Sequence, residues 1–290
     1  MILPSAIESS FINQGLYRLH SLKRTALDAQ TIPILAVHGW LDNVASFLPL
    51  MVELPGLPWF AIDLVGHGRS EWRSSASYYF FSEYLCDLIL LIEECFPQGV
   101  HLLGHSLGGA IVSMVAGIMP DKVKSLTMID VLGPLTSPVE TVAEQCRLAV
   151  HQYRNLKEKR LYPSLEIMAT ARRKRHNISP LSCQLLVEYG SLQVEQGYQW
   201  SFDPKLFHLS PMQMSQEQVL SVLDTVRMPT MMIKAIEGYN MQPEILEPRK
   251  AKIPQLEYIE IKGGHHVHMD DPQLVAECLL KFYHKHGFFD

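Results

Sequence analysis

The chain has 290 residues, 47% hydrophobic and 19% charged, with a formal net charge of −5 at neutral pH. That balance supplies ample apolar material for one large core and gives no electrostatic reason to bind nucleic acid. Five cysteines (Cys86, Cys95, Cys146, Cys183 and Cys278) are scattered without a C-x-x-C pair, a pattern that excludes a disulfide framework and points to reduced thiols in the cytoplasm.

Met1 to Ser5 carries no basic region or apolar core, so a signal peptide is not expected. Leu16 to Leu22 alternates with period two and predicts an early antiparallel strand. Ile32 to Val37 is an apolar strand that runs into His38-Gly39-Trp40, and Phe60 to Ile62 is another that ends at Asp63. The loop from Asp63 to Ser70 contains Gly66-His67-Gly68, which suggests that Asp63 stabilises a turn. Phe80 to Phe96 carries apolar residues at helical spacing. Val100 to Leu103 reads as a strand and Ala110 to Ala116 as a helix, with Gly104-His105-Ser106-Leu107-Gly108 between them. Val123 to Ile129, Thr230 to Lys234 and Tyr258 to Ile261 are further strands, and Pro272 to Tyr283 is the last helix.

Cys95 to Pro120 contains no Asp, Glu, Lys or Arg and has the length of a membrane span. Pro97, Gly99, Gly104, Gly108, Gly109 and two histidines interrupt it, so a buried strand turning into a buried helix explains it better. No membrane partner is expected. Strands alternating with helices imply an α/β fold with a mostly parallel sheet covered on both faces. Chemistry in such sheets gathers at the carboxyl ends of the strands, where His38, Asp63, Ser106 and Asp130 all stand.

The alternation stops between Gly133 and Met228. This stretch leans to helix over Thr141–Asn155, Leu165–Arg175, Ser182–Gln193 and Ser215–Val226, and carries 11 Lys/Arg against 9 Asp/Glu. A helical lid over the strand ends fits its position. Met168, Tyr198, Trp200, Phe202, Met212 and Met214 are its candidates for an adaptable apolar pocket. The basic run Arg172-Arg173-Lys174-Arg175 reads as a solvated helix face.

The strand–turn–helix context turns the G-x-S-x-G pentapeptide into a nucleophile elbow with Ser106 at its tip. A serine hydroxyl needs a base, and His265 after Gly264 is the candidate; His266 and His268 are decoys in the same loop. Three histidines within four positions invite a metal reading, but no cysteine or H-E-x-x-H spacing accompanies them, and no metal is expected. The amides of Trp40 and Leu107 are the candidate oxyanion donors. His38, Gly39, Trp40 and His105 are expected to border the substrate. The acid that orients His265 is open between Asp130, preferred, and Glu237.

In this order the motifs resemble the α/β-hydrolase superfamily from about Ile32 to the C-terminus. More narrowly, His38-Gly39-Trp40-Leu41-Asp42-Asn43, Ile233-Lys234-Ala235 with Gly238-Tyr239, and Val267-His268-Met269 resemble the serine hydrolase-like proteins. The resemblance implies an eight-stranded-type sheet formed by residues 1–132 and 229–290, with 133–228 inserted as the lid. It implies a serine hydrolase, without cofactor, that cleaves a small carboxylic ester or thioester through an acyl-enzyme on Ser106. Carbon–carbon bond hydrolysis on the same triad, or a lidded ligand-binding receptor, are the alternatives. Many superfamily members place an Asp after the later strand, where this chain has Glu237; others carry the acid after the preceding strand, where Asp130 lies. Neither acyl length nor oligomeric state is encoded in these motifs.

Overall fold

A computed structural model describes residues 6–24, 31–155, 158–174 and 177–289. Met1 to Ser5 and Arg175, on which two of the sequence readings fall, lie outside the described residues. The strands are β1 (Ile7–Gln14), β2 (Tyr17–Arg24), β3 (Ile34–Val37), β4 (Trp59–Ile62), β5 (Val100–His105), β6 (Val123–Ile129), β7 (Ser191–Val194), β8 (Gly197–Trp200), β9 (Thr230–Glu237) and β10 (Leu256–Gly264). The helices are α1 (Leu48–Glu53), α2 (Phe81–Cys95), α3 (Leu107–Ile118), α4 (Val142–Tyr153), α5 (Leu165–Arg173), α6 (Pro180–Gly190), α7 (Gln216–Leu223), α8 (Pro243–Ala251), α9 (Val267–Asp270) and α10 (Pro272–Lys285). Among the described residues, no helix is long and apolar enough to cross a membrane.

Eight strands form one sheet in the order β1-β2-β4-β3-β5-β6-β9-β10. The β1/β2 and β2/β4 pairs are antiparallel and all later pairs are parallel. The apolar strands at the centre send alternate side chains to opposite faces. Leu35, Val37, Leu102, Leu126 and Met232 join one core with α2, α3 and α7. Ile34, Ala36, Leu103, Ile129 and Ile233 join a second core with α1 and α10. Coverage on both faces explains why these strands read as continuous apolar runs.

Within 133–228, the expected helix over Ser182–Gln193 starts earlier and ends earlier. Ser179 caps the Ser182 amide with Pro180 at the first helical position, and the helix stops at Gly190. Ser191 to Trp200 is instead a β7–β8 hairpin, which the sequence reading does not contain. Gly197, the first residue of β8, has φ of 136°, and a Cβ there would lie 2.3 Å from the Tyr162 carbonyl oxygen. Helices α5 and α6 share a small core of Tyr162, Met168, Ile178, Cys183, Leu186 and Val187. By contrast, α7 packs on α3, where a Cβ on Gly117 would meet the Val222 carbonyl oxygen at 2.3 Å.

Candidate active site

Strand β5 delivers Ser106 into a sharp turn before α3. Ser106 has φ of 51° and ψ of −118°, a strained conformation for a side-chain-bearing residue. The turn closes only because its neighbours lack Cβ atoms. A Cβ on Gly108 would lie 1.9 Å from the Val37 carbonyl oxygen, and one on Gly104 would lie 2.5 Å from the Gly108 backbone. The Ser106 amide donates to the Ile129 carbonyl at 3.2 Å, which ties the elbow to the end of β6.

His265 follows β10 directly. Its Nε2 lies 2.9 Å from Ser106 Oγ and its Nδ1 lies 2.6 Å from Asp130 Oδ2. An ionised carboxylate only accepts, so Nδ1–H donates to Asp130 and the bare Nε2 accepts from the serine hydroxyl. Asp130, at the end of β6, has φ of 56° and is 1% exposed. It also accepts from the Tyr239 amide at 2.6 Å, the Lys234 ammonium at 2.7 Å and the Ala235 amide at 3.2 Å. Burial alone would raise this carboxyl, but the hydrogen bonds from His265, Lys234 and Tyr239 outweigh it and hold Asp130 below the usual carboxylate range. Glu237, the other candidate acid, is exposed at the end of β9, and the Nδ1 hydrogen bond of His265 goes to Asp130.

Ser106, Leu107, Trp40, Asp130 and Tyr239 line a cavity of about 670 Å³. Its walls come from Tyr79 to Leu85, Val131 to Leu135 and Leu206 to Met214, and no Lys or Arg is among the lining residues. Trp40 is 45% exposed, and its indole donates to the Leu206 carbonyl at 3.2 Å. Of the apolar residues expected in the pocket, Met212 and Met214 line it. The others do not: Met168 is in the α5–α6 core, Tyr198 and Trp200 pack against that core, and Phe202 is in the core beside α2 and α3. Helical spacing marks a buried face without saying which cavity it faces.

His38, Gly39 and His105 do not border this cavity, contrary to the expectation from sequence. The buried His38 donates from Nδ1 to the Gly39 carbonyl at 2.8 Å and accepts the Leu64 amide at Nε2 at 3.0 Å, so it fastens two loops together. His105 is fully buried and donates from Nε2 to the His265 carbonyl at 2.8 Å, holding the backbone of the loop that presents His265. Gly39 leaves room for the His105 ring, whose Nδ1 would be 2.9 Å from an added Cβ. Asp63 accepts from His20 Nδ1 at 2.7 Å and from the Val44 and Arg69 amides at 2.7 and 2.9 Å, the turn-stabilising role read from its loop.

Asp42, His105 and His266 bring three metal-ligand atoms within 4.8 Å of one another. The carboxylate of Asp42 already bonds the Arg172 guanidinium and lies 3.3 Å from His266 Nε2. Burial alone would raise Asp42, but His266 and Arg172 hold it well below the usual range. The Arg172 guanidinium already engages the Asp42 carboxylate, so the trio is part of a buried polar network. Lys234 and Asp42 were not assigned roles from sequence, and Arg172, expected on a solvated helix face, is instead buried and bonded to Asp42 and to the Leu41 carbonyl. Lys234 stands inside a family-like segment, but nothing local in the chain reveals that β6 and β9 are neighbours.

The family model for the alpha/beta hydrolase fold matches residues 32–272. The chain belongs to this family. It is 27% identical over 264 residues to a serine hydrolase-like protein of Danio rerio, covering 86% of this chain and 81% of that one. It is 28% identical over 265 residues to a probable serine hydrolase of Drosophila melanogaster, covering 86% and 80%. Among solved structures, a hypothetical protein of Pseudomonas aeruginosa PAO1 superposes with a TM-score of 0.86 at 30% identity, covering 95% of this chain and 99% of that one.

Proposed function

We propose that this protein is a serine hydrolase of small carboxylic esters or thioesters with an uncharged, apolar acyl group. The observation that carries the reading is the hydrogen-bonded line from Ser106 through His265 to Asp130 at an apolar cavity. Ser106 Oγ attacks the acyl carbon while His265 Nε2 takes its proton. Asp130 keeps the ring in the required tautomer and stabilises the imidazolium. The amides of Trp40 and Leu107 hold the oxyanion, an interaction whose loss at one donor typically costs about 10²–10³ in rate. His265 then protonates the leaving group, and water releases the acid from the acyl-enzyme.

The apolar lining supports the substrate class, because a buried carboxylate or phosphate would find no Lys or Arg there to compensate its desolvation. Residues 133–228 act in this reading as the cap, with Leu206 to Met214 contributing its wall over the nucleophile. The unpaired cysteines suit a cytoplasmic enzyme. A fluorophosphonate probe followed by peptide mass spectrometry tests the assignment. The adduct is expected on Ser106 and absent from Ser106→Ala; labelling elsewhere, or none, contradicts it.

A further inference from the structure

The carboxylate that orients His265 is shared with a lysine ammonium. Asp130 Oδ2 takes His265 Nδ1 at 2.6 Å, while Oδ1 takes the Lys234 ammonium at 2.7 Å. The Lys234 side chain is 13% exposed and that of Asp130 0%, so water screens the contact little. Lys234 also donates to the Ala235 carbonyl, which holds its ammonium beside Oδ1. A buried carboxylate stabilises an imidazolium next to it, and a second positive charge on the same carboxylate removes part of that stabilisation.

We propose that Lys234 is a positioning residue of this site. Its ammonium clamps Asp130 by Oδ1 so that Oδ2 faces His265, and its charge sets the pH at which His265 becomes protonated and hydrolysis stops. The consequence for catalysis rests on the hydrolase reading above; the effect on the imidazole ring does not.

The other titratable groups facing His265 and Asp130 come from every element packed around them. The His105 ring on β5 is 4.7 Å from that of His265, and burial pushes it down to about 4, so it is neutral. His266, 5.4 Å away, pairs with Asp42, and burial keeps His268 on α9 neutral. The Tyr239 ring is 6.3 Å from that of His265. On β10, burial pushes Tyr258 up to about 12, and the exposed Glu260 is the register partner of Lys234. Among the described residues, Lys234 is the lysine or arginine side chain that hydrogen-bonds Asp130.

The test is a pH titration of the His265 ring by NMR, assigned with His265→Gln, in the wild type, Lys234→Met and Lys234→Arg. A kcat/KM–pH profile on an aryl ester runs beside it. Loss of an ammonium at this range is expected to raise both the ring midpoint and the acid limb by about one pH unit in Lys234→Met. Lys234→Arg retains the charge and is expected to keep the wild-type profile. Should Lys234→Met fold poorly, Lys234→Gln supplies the same comparison. A folded variant whose ring midpoint does not move overturns the proposal. A moved midpoint without ester turnover upholds the role of Lys234 on the ring and removes the hydrolase reading instead.

Discussion

The guanidinium of Arg172, on α5, is bonded to the carboxylate of Asp42, and its Nη1 also donates to the Leu41 carbonyl at 2.9 Å. Asp42 in turn lies 3.5 Å from His105 and 3.3 Å from His266, the neighbours in sequence of Ser106 and His265. One buried carboxylate therefore joins helix α5 to the segments that carry Ser106 and His265. Removing one partner of a buried pair leaves the other charge uncompensated. Arg172→Met is expected to lower stability by about 3–5 kcal/mol in urea unfolding. In a double-mutant cycle, adding Asp42→Asn should recover part of that loss.

Protonation of buried imidazoles should weaken the fold in mild acid. Burial pushes His105 down to about 4 and His67 down to about 3, from an ordinary value of 6.5. Each binds its proton more weakly folded than unfolded, so its contribution is complete above about pH 6.5 and falls as pH drops toward the folded value. The slope per imidazole is about 1.4 kcal/mol per pH unit within that window. Unfolding free energies measured between pH 7.5 and 4.5 should show this decline, and His67→Gln should flatten it.

The identity of the acid is decided by comparing two substitutions. Asp130→Asn is expected to lower kcat by about 10⁴, while Glu237→Gln leaves it near the wild-type value. Gly238→Ala gives an independent check, because its Cβ would lie 2.1 Å from Asp130 Oδ2. It should reduce kcat by displacing the carboxylate, although no reacting group has been changed.

Lys205 anchors the cavity wall. Its buried ammonium donates to the Ser74 and Ser77 carbonyls at 2.6 and 2.8 Å, and it immediately precedes the lining residues Leu206 and Phe207. Lys205→Met leaves those carbonyls unsatisfied and frees the wall. KM for longer acyl chains should rise several-fold, with a smaller change in kcat, in steady-state kinetics across an ester series.

The sheet and the elbow were legible because they depend on local signals. Apolar runs ending at Asp63, Ser106 and Asp130 mark strand ends, and glycines at 104 and 108 mark a turn that only they allow. Strand β1 escaped because its Glu8 and Ser9 side chains are exposed, so Ile7 to Gln14 lacks a buried apolar stripe. The hairpin at Ser191 escaped for a similar reason, with Leu192 and Val194 exposed. His38 and His105 illustrate the limit at the site: a histidine beside a catalytic motif has the same sequence signature whether it touches substrate or holds a loop. Their fully buried rings, each bonded to a backbone carbonyl, decide for the latter.

Hydrolysis of p-nitrophenyl esters from acetate to palmitate, with Ser106→Ala as control, tests the central claim most directly. The account predicts length-dependent turnover that falls by several orders of magnitude in the mutant. Turnover that is absent, or equal in the two proteins, would contradict an acyl-enzyme on Ser106 and shift the reading to carbon–carbon cleavage or ligand sensing.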